Sequence, residues 1–504
     1  MTKRFGDLVA LDRVSVNFTS GSLHALLGEN GAGKSTLVKC LMGYYRADSG
    51  QVMVDGTERQ ISNPRHAHHF GLGMVYQHFT LVPSMTVAEN LVLGEEDLSL
   101  VVDWPSQLAR IEAFMATTPF RLDLDRPVSA LAAGEKQKLE ILKQLFLGHR
   151  FLILDEPTSV LTPDEADEIL GLMRSMADEG RVSVVLITHK LREVEAFAHD
   201  VTVLRAGRVA GQGRAQDLGH GNLVRMMIGR DSVAEPAARN DSPAADAALD
   251  VRGLTVGNDK GLTAVDRAAL AVRPGEIVGI AGVSGNGQTE LVEALAGQRE
   301  AEAGQILVKG TPYGRTRREI AEHGVYLLPE EPLLNGCVAS MSVAENLALR
   351  NFDRPEHTRL GVFLDHGALD RQAKDLIGRF NIKTQGPAAE IATLSGGNVQ
   401  RTVLARELSH QVSVLIVQNP CFGLDLNAVA EIRNRIMAAR NAGAAVLLIS
   451  EDLDEILELA DRILVMFEGR IVYETPRSQA DVHTIGRHMA SHADENMNAE
   501  ERTT

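Results

Sequence analysis

Short, unbroken apolar runs alternate along the chain with stretches of helical period. In the first half "LHALL" (Leu23–Leu27), "FLILD" (Phe151–Asp155) and "VSVVLIT" (Val182–Thr188) are spaced by patterns such as "STLVKCLMGY" and "ADEILGLMRSMADE". Runs apolar at every position and rich in β-branched residues predict strands buried on both faces, and their alternation with helices predicts an α/β fold with a mainly parallel sheet.

The pattern occurs twice. "LLGENGAGKSTL" (Leu26–Leu37) returns as "IAGVSGNGQTEL" (Ile280–Leu291), a shift of 254 positions. The same shift aligns "LDRVSVNFTSGS" from Leu11 with "VDRAALAVRPGE" from Val265, and "DSGQVMVDG" from Asp48 with "EAGQILVKG" from Glu302. "SMTVAENL" from Ser84 meets "SMSVAENL" from Ser340 with two residues of drift. Four blocks in one order mark a duplicated domain. The predicted division is 1–229 for the first domain, 230–248 for an Ala-, Pro-, Ser- and Asp-rich linker, 249–490 for the second domain, and 491–504 for a disordered tail. The second domain opens with "LDVRGLTV" (Leu249–Val256), which reads as a first strand. Only Met1 and Thr2 align with its end, so either the start lies upstream, the preferred reading, or the first domain has lost an edge strand.

Composition narrows the class. The chain has 504 residues, 44% hydrophobic and 23% charged, with a formal charge of −16. These are values of a globular protein of several domains, and the acidic balance argues against a nucleic-acid partner. No run reaches the roughly 18 to 20 apolar residues of a membrane span, and Met1–Phe5 lacks the apolar core of a signal peptide, so a peripheral membrane role is expected. Cys40, Cys337 and Cys421 are few and scattered, which fits a reducing compartment and no disulfide framework.

The first loop, Gly28–Ser35, reads G-x-x-x-x-G-K-S between an apolar run and a helical one. Glycines let backbone N–H groups wrap phosphates, the helix start offers its positive end, Lys34 neutralises the β and γ phosphates, and Ser35 ligates Mg²⁺. Downstream, Phe151–Asp155 delivers Asp155 and Glu156 at the end of a buried strand. There Asp155 suits Mg²⁺ and Glu156 suits polarising an attacking water, while His189 follows another buried strand and faces the γ-phosphate.

Lys34, "LILDEPTS", "THK", Gln77 in "VYQHF" and a later "LSGGN" together resemble the nucleotide-binding domains of ABC ATPases, over nearly the whole chain. The resemblance implies two tandem P-loop domains, each with a helical signature subdomain. It also implies that ATP is held by Gly28, Glu29, Asn30, Gly31, Ala32, Gly33, Lys34, Ser35 and Thr36, with Phe5 stacked on the adenine. Glu156, His189 and Gln77 take the catalytic roles, and Ser35, Asp155 and Gln77 hold Mg²⁺. In this family each ATP site takes its loop from one domain and its signature from the other. Site one thus joins the first loop to Ser395, Gly396 and Gly397, and every part is present. Site two joins the second loop to "LAAGE". There Gln288 replaces the lysine, Gln418 and Asn419 replace the carboxylates, Glu451 replaces the histidine, and Ala132 replaces the signature serine. Losses drawn from both copies but meeting in one site imply one competent site and one silent in hydrolysis.

The fused, span-free pair resembles the ATPase subunit of sugar-type importers, and "QHFTLVPSMTVAENL" looks most like the nucleoside or basic-lipoprotein branch. That resemblance implies two integral permease subunits, an extracytoplasmic solute-binding protein, a place on the cytoplasmic face of the inner membrane, and permease contacts at His78, Phe79, Leu81 and Val82. The alternative is a soluble tandem ABC ATPase acting on ribosomes; a charged helical linker would mark it, whereas this linker is short and Ala/Pro-rich.

Overall fold

The computed structural model describes residues 1–77, 79–95, 102–118, 120–159, 161–229, 239, 246–360, 363–422, 424 and 426–490. Most of the linker, the tail and His78 lie outside them. The chain divides into two compact units, Met1–Ser232 and Val233–Thr504.

In the first unit six strands form one sheet: β1 (Leu23–Leu27), β2 (Leu72–Val75), β3 (Phe151–Asp155), β4 (Ser183–Ile187), β5 (Asp200–Arg205) and β6 (Arg208–Arg214). Their order is β6-β5-β1-β4-β3-β2, parallel except for β6. The second unit repeats it with β7 (Ile277–Ala281), β8 (Val325–Leu328), β9 (Val414–Gln418), β10 (Ala445–Ser450), β11 (Arg462–Phe467) and β12 (Arg470–Pro476), in the order β12-β11-β7-β10-β9-β8. The central strands are buried on both faces, as their unbroken apolar sequences require: Leu152, Ile153 and Leu154 are fully enclosed, as are Val446, Leu447 and Leu448. Carboxyl ends of neighbouring parallel strands therefore gather at one edge of each sheet, where the loops after β1, β3 and β4 meet.

An antiparallel layer accompanies each sheet. In the second unit it has four strands, led by Leu249–Gly257 beside Thr263–Val272. In the first it begins with the short strand Lys3–Phe5 paired to Leu8–Leu11, and Thr2 bridges to Ser49. No helix of the described residues is long and apolar enough to cross a membrane.

Candidate functional site

In the first domain β1 runs into the glycine loop and then helix α1 (Lys34–Leu41). The loop's shape is set by packing. Gly33 has φ 105°, and a Cβ there would stand 2.8 Å from the Ala10 carbonyl oxygen. A Cβ on Gly28 would come within 2.4 Å of the Leu204 carbonyl oxygen. Inside the loop the buried Lys34 Nζ donates to the Gly28 oxygen at 2.6 Å and the Glu29 oxygen at 3.2 Å. Burial pulls the Lys34 ammonium below its usual range, against the opposing charges of Glu156, Asp155 and Glu29. A partly desolvated cation inside a ring of amides, at the start of a helix, fits a phosphate chain. Ser35 is exposed and Thr36 half-buried on the next turn.

The carboxylates lie at the end of β3. Glu156 sits at φ 48°, an uncommon conformation for a side-chain-bearing residue, and its N–H donates to the Ile187 oxygen at 2.9 Å. This kink aims the carboxylate sideways between two partners. Gln77 Nε2 donates to Glu156 Oε2 at 3.2 Å, and His189 Nδ1 lies 3.1 Å from Oε1. Burial pushes Glu156 upward, but the hydrogen bond and charge of His189, with Lys34 and Lys190, outweigh it and hold the carboxyl below its ordinary range. Asp155 is shifted up, by burial first and then by Glu156. Behind them, buried Glu193 accepts hydrogen bonds from Thr158 Oγ1 and from Thr188 Oγ1, the latter at 2.8 Å, joining the loop after Glu156 to the end of β4. Glu193 escaped the sequence reading, because its partners lie 35 and 5 positions away on different loops.

The two "LSGG"-type segments start helices α2 (Ala133–Phe146) and α3 (Gly396–Glu407). At α2 the Glu135 carboxylate accepts the Ala132 N–H at 2.9 Å and pairs with Arg126 at 3.0 Å. Its positive end is already covered by an anion. At α3 the corresponding side chain is neutral: Asn398 Nδ2 donates to Ser395 Oγ at 2.8 Å and its Oδ1 accepts the Lys383 N–H. Only α3 leaves its amino end to an outside anion.

The sequence profile of the ABC transporter family matches residues 11–159 and 265–421. The chain belongs to the ABC transporter family. It is 39% identical to the glucose import ATP-binding protein TsgD13 of Haloferax volcanii, over 98% of this chain and 95% of that one. It is 40% identical to the nucleoside import ATP-binding protein NupA of Lactococcus lactis, over 94% and 93%, and 40% identical to the ribose import ATP-binding protein RbsA 1 of Rubrobacter xylanophilus, over 95% of each. Among solved structures it resembles that of the archaeal ribosome recycling factor aABCE1 with the stalk protein aP1, at TM-score 0.60 and 20% identity over 94% of this chain and 90% of that one. That likeness shows the tandem fold alone.

The second ABC domain keeps the frame and changes the chemistry. A Cβ on Gly287 would stand 2.2 Å from the Ala264 carbonyl oxygen, and one on Gly282 2.7 Å from the Met466 oxygen, the counterparts of Ala10 and Leu204. Gln288 is buried like Lys34, and its Nε2 donates to the Val283 oxygen at 3.1 Å, where Lys34 reaches Glu29. The amide keeps the tie between helix and loop and drops the charge. Gln418 Nε2 donates to Thr289 Oγ1 at 3.2 Å, in the places of Asp155 and Ser35. Asn419 repeats the kink of Glu156 at φ 40° and its Oδ1 accepts the Glu451 N–H at 2.9 Å. Burial raises the Glu451 carboxyl, opposed by a hydrogen bond from Ser284 and reinforced by Glu330.

Two further exchanges were missed in the sequence. Glu330 follows β8 where Gln77 follows β2, which places a second carboxylate in this pocket. The exposed Phe5 stands edge-on to Tyr45 at 5.2 Å, whereas the second domain carries Asp259 and Arg299 at these positions, ion-paired at 2.8 Å. Applying the 254-residue shift to Phe5 and Tyr45 finds this pair; Glu330 needs the alignment of β8 on β2, one residue off that shift. One expected permease contact is corrected: Leu81 is buried, held under a segment whose Thr80 and Val82 are fastened by Glu140 and Asn90, while Phe79 and Val82 are half-buried.

Proposed function

We propose that this chain is the ATP-hydrolysing subunit of a membrane importer for simple sugars or nucleosides, with one competent composite ATP site and one that does not hydrolyse. The observation that carries this reading is the triad of Gln77, Glu156 and His189 beside Lys34, set against Gln288, Gln418, Asn419 and Glu451 at the matching positions. The competent site takes its loop from domain 1 and Ser395, Gly396 and Gly397 from domain 2. Ala132, with Glu135 over its helix, falls to the other site.

Within the competent site Lys34 and the loop amides bind and orient the phosphates, and Phe5 supports the adenine. Ser35, Asp155 and Gln77 would hold Mg²⁺, which neutralises phosphate charge when bound. Glu156, kept ionised by His189, is placed to accept a proton from the attacking water, and Gln77 links that carboxylate to the segment facing the partner subunits. The partners are two integral permease subunits, served by an extracytoplasmic solute-binding protein, and the working place is the cytoplasmic face of the inner membrane. Relatives near 40% identity named for glucose, nucleoside and ribose import support this reading over a ribosomal one, for which the likeness is of fold only.

The test combines kinetics with capture. Lys34→Ala and Glu156→Gln abolish turnover, Gln288→Ala keeps most of it, and Ser395→Ala is far more damaging than Ala132→Ser. A Gln288 variant as inactive as the Lys34 variant refutes the one-site assignment. Tagged Glu156→Gln protein, solubilised with Mg-ATP from its own cell, retains integral permeases; ribosomes in their place would remove the transport reading.

A further inference from the structure

Glu156 and His189 meet from two different loops, after β3 and after β4. The pairing of those strands ends at Asp155 and Ile187, so the 3.1 Å between His189 Nδ1 and Glu156 Oε1 is not set by the sheet alone. Glu193, in the first turn of the short helix Leu191–Phe197, supplies a further hold. Its buried carboxylate takes one hydroxyl on each oxygen: Thr158 Oγ1 donates to Oε1, and Thr188 Oγ1 donates to Oε2 at 2.8 Å. Thr158 lies two residues past Glu156, and Thr188 immediately precedes His189. Lys190 closes the ring. Its N–H donates to Thr188 Oγ1 at 3.0 Å, its Nζ donates to the Thr158 carbonyl oxygen at 3.2 Å, and the same ammonium stands 3.7 Å from Glu193 Oε1. A buried carboxylate is costly unless its oxygens are answered, and here each answer comes from a loop that carries a site residue.

The second domain keeps the carboxylate and changes what answers it. Glu455 accepts from Ser450 Oγ at 2.8 Å and from the Cys421 thiol, in the places of Thr188 and Thr158. A thiol is a weaker donor than a hydroxyl. The positive charge also comes from elsewhere. Arg433, on the long helix Leu426–Asn441, stands 3.5 Å from Glu455 and pairs as well with Glu458 and, at 3.9 Å, with Asp452. The first domain has the fully buried Leu170 where Arg433 stands, and Lys190 where Asp452 stands. Where the site residues are Asn419 and Glu451, the counter-charge is thus borne by a scaffold helix. Where they are Glu156 and His189, it is borne by the residue next to the histidine, whose side chain spans both loops.

We propose that Glu193 is a positioning residue for ATP hydrolysis: through Thr158, Thr188 and Lys190 it fixes the Glu156 carboxylate against the His189 imidazole. The inference rests on the assignment of hydrolysis to the first domain's site. Glu193 is hydrogen-bonded to neither catalytic side chain; it holds the loops that carry them. Loosening that hold leaves the glycine loop and Lys34 in place, so nucleotide binding is kept while the reacting geometry is lost. Small misplacements of this kind reduce the rate of the chemical step far more than they reduce affinity.

The test uses the full chain with Thr158→Val and Thr188→Val, which keep the side-chain shape and remove the hydroxyls, beside Thr158→Ser and Thr188→Ser, which keep them. In steady-state ATP hydrolysis each valine variant loses about tenfold or more in kcat, while KM for ATP stays within about twofold of wild type. The serine variants recover kcat to within about twofold of wild type. Ser450→Ala, which cuts the matching bond in the second domain, leaves kcat unchanged. Unchanged kcat in both valine variants overturns the inference. So do serine variants as slow as the valine ones, or a loss in Ser450→Ala equal to that in Thr188→Val, since either marks a role in folding alone. If the valine variants fail to fold, Lys190→Met decides at a half-buried position: kcat falls severalfold at constant KM, and an unchanged kcat overturns the inference. Wild-type turnover in Glu156→Gln would instead remove the assignment of hydrolysis to the first domain.

Discussion

Gln418 Nε2 donates to Thr289 Oγ1 at 3.2 Å, a neutral hydrogen bond between the two positions that carry Asp155 and Ser35 in the first domain. A carboxylate and a hydroxyl that would share a cation have become an amide and a hydroxyl that satisfy each other. Restoring the missing groups should therefore not restore the site. In a Lys34→Ala background, Gln288→Lys with Gln418→Asp and Asn419→Glu is expected to show no ATP turnover above the Lys34→Ala variant alone. Glu330, Glu451 and Asp259 remain in that variant, and each sets a negative charge where the first domain has the neutral Gln77, His189 or Phe5. Phosphate release above that baseline would show that Gln288, Gln418 and Asn419 alone silence the site.

Phe5 offers an exposed ring in the first domain, and the second domain offers an ion pair instead. Base–aromatic stacking is worth about 1–3 kcal/mol on alanine substitution. Phe5→Ala should weaken ATP binding about tenfold or more, with Phe5→Tyr close to wild type and Asp259→Ala without effect. Equilibrium binding of a fluorescent ATP analogue to the three variants measures this.

The second glycine loop has a packing role of its own. Gly287→Ala forces a Cβ against the Ala264 carbonyl at φ 97° and should cost roughly 1–3 kcal/mol of stability. Gly285→Ala, at φ 89° with open space around it, should cost less. Thermal unfolding of the two variants gives the comparison; equal, negligible losses would remove the packing explanation for the retained loop.

Glu451 makes a prediction about pH. Its carboxyl is raised above the ordinary 4.5, by burial first and with Glu330 adding to it. A group whose folded pKa is raised keeps its proton longer in the folded state, so stability falls as pH rises from 4.5 through the folded value. The penalty is complete above that value and absent below 4.5. Glu451→Gln should therefore raise the melting temperature at pH 7 and leave it unchanged at pH 4. A gain of the same size at both pH values would mean that packing, and not ionisation, is responsible.

The amino-acid sequence by itself determined the duplication, the α/β class and the residues of the first loop. Each of these depends on local order: apolar runs long enough for a buried strand, glycines at fixed offsets, a lysine at the start of a helix. It also determined that Gln288 had replaced Lys34, since one constant shift carries one loop onto the other. Only the tertiary structure decided what Gln288 does, because its partner is a backbone oxygen across a turn. It likewise decided that Glu156 rests between Gln77 and His189, 79 and 33 positions away. Glu193 and its partners Thr158 and Thr188 were hidden for the same reason. Their meaning comes from groups brought together by parallel strands whose crossovers are tens of residues long, and no spacing along the chain records which strand ends become neighbours.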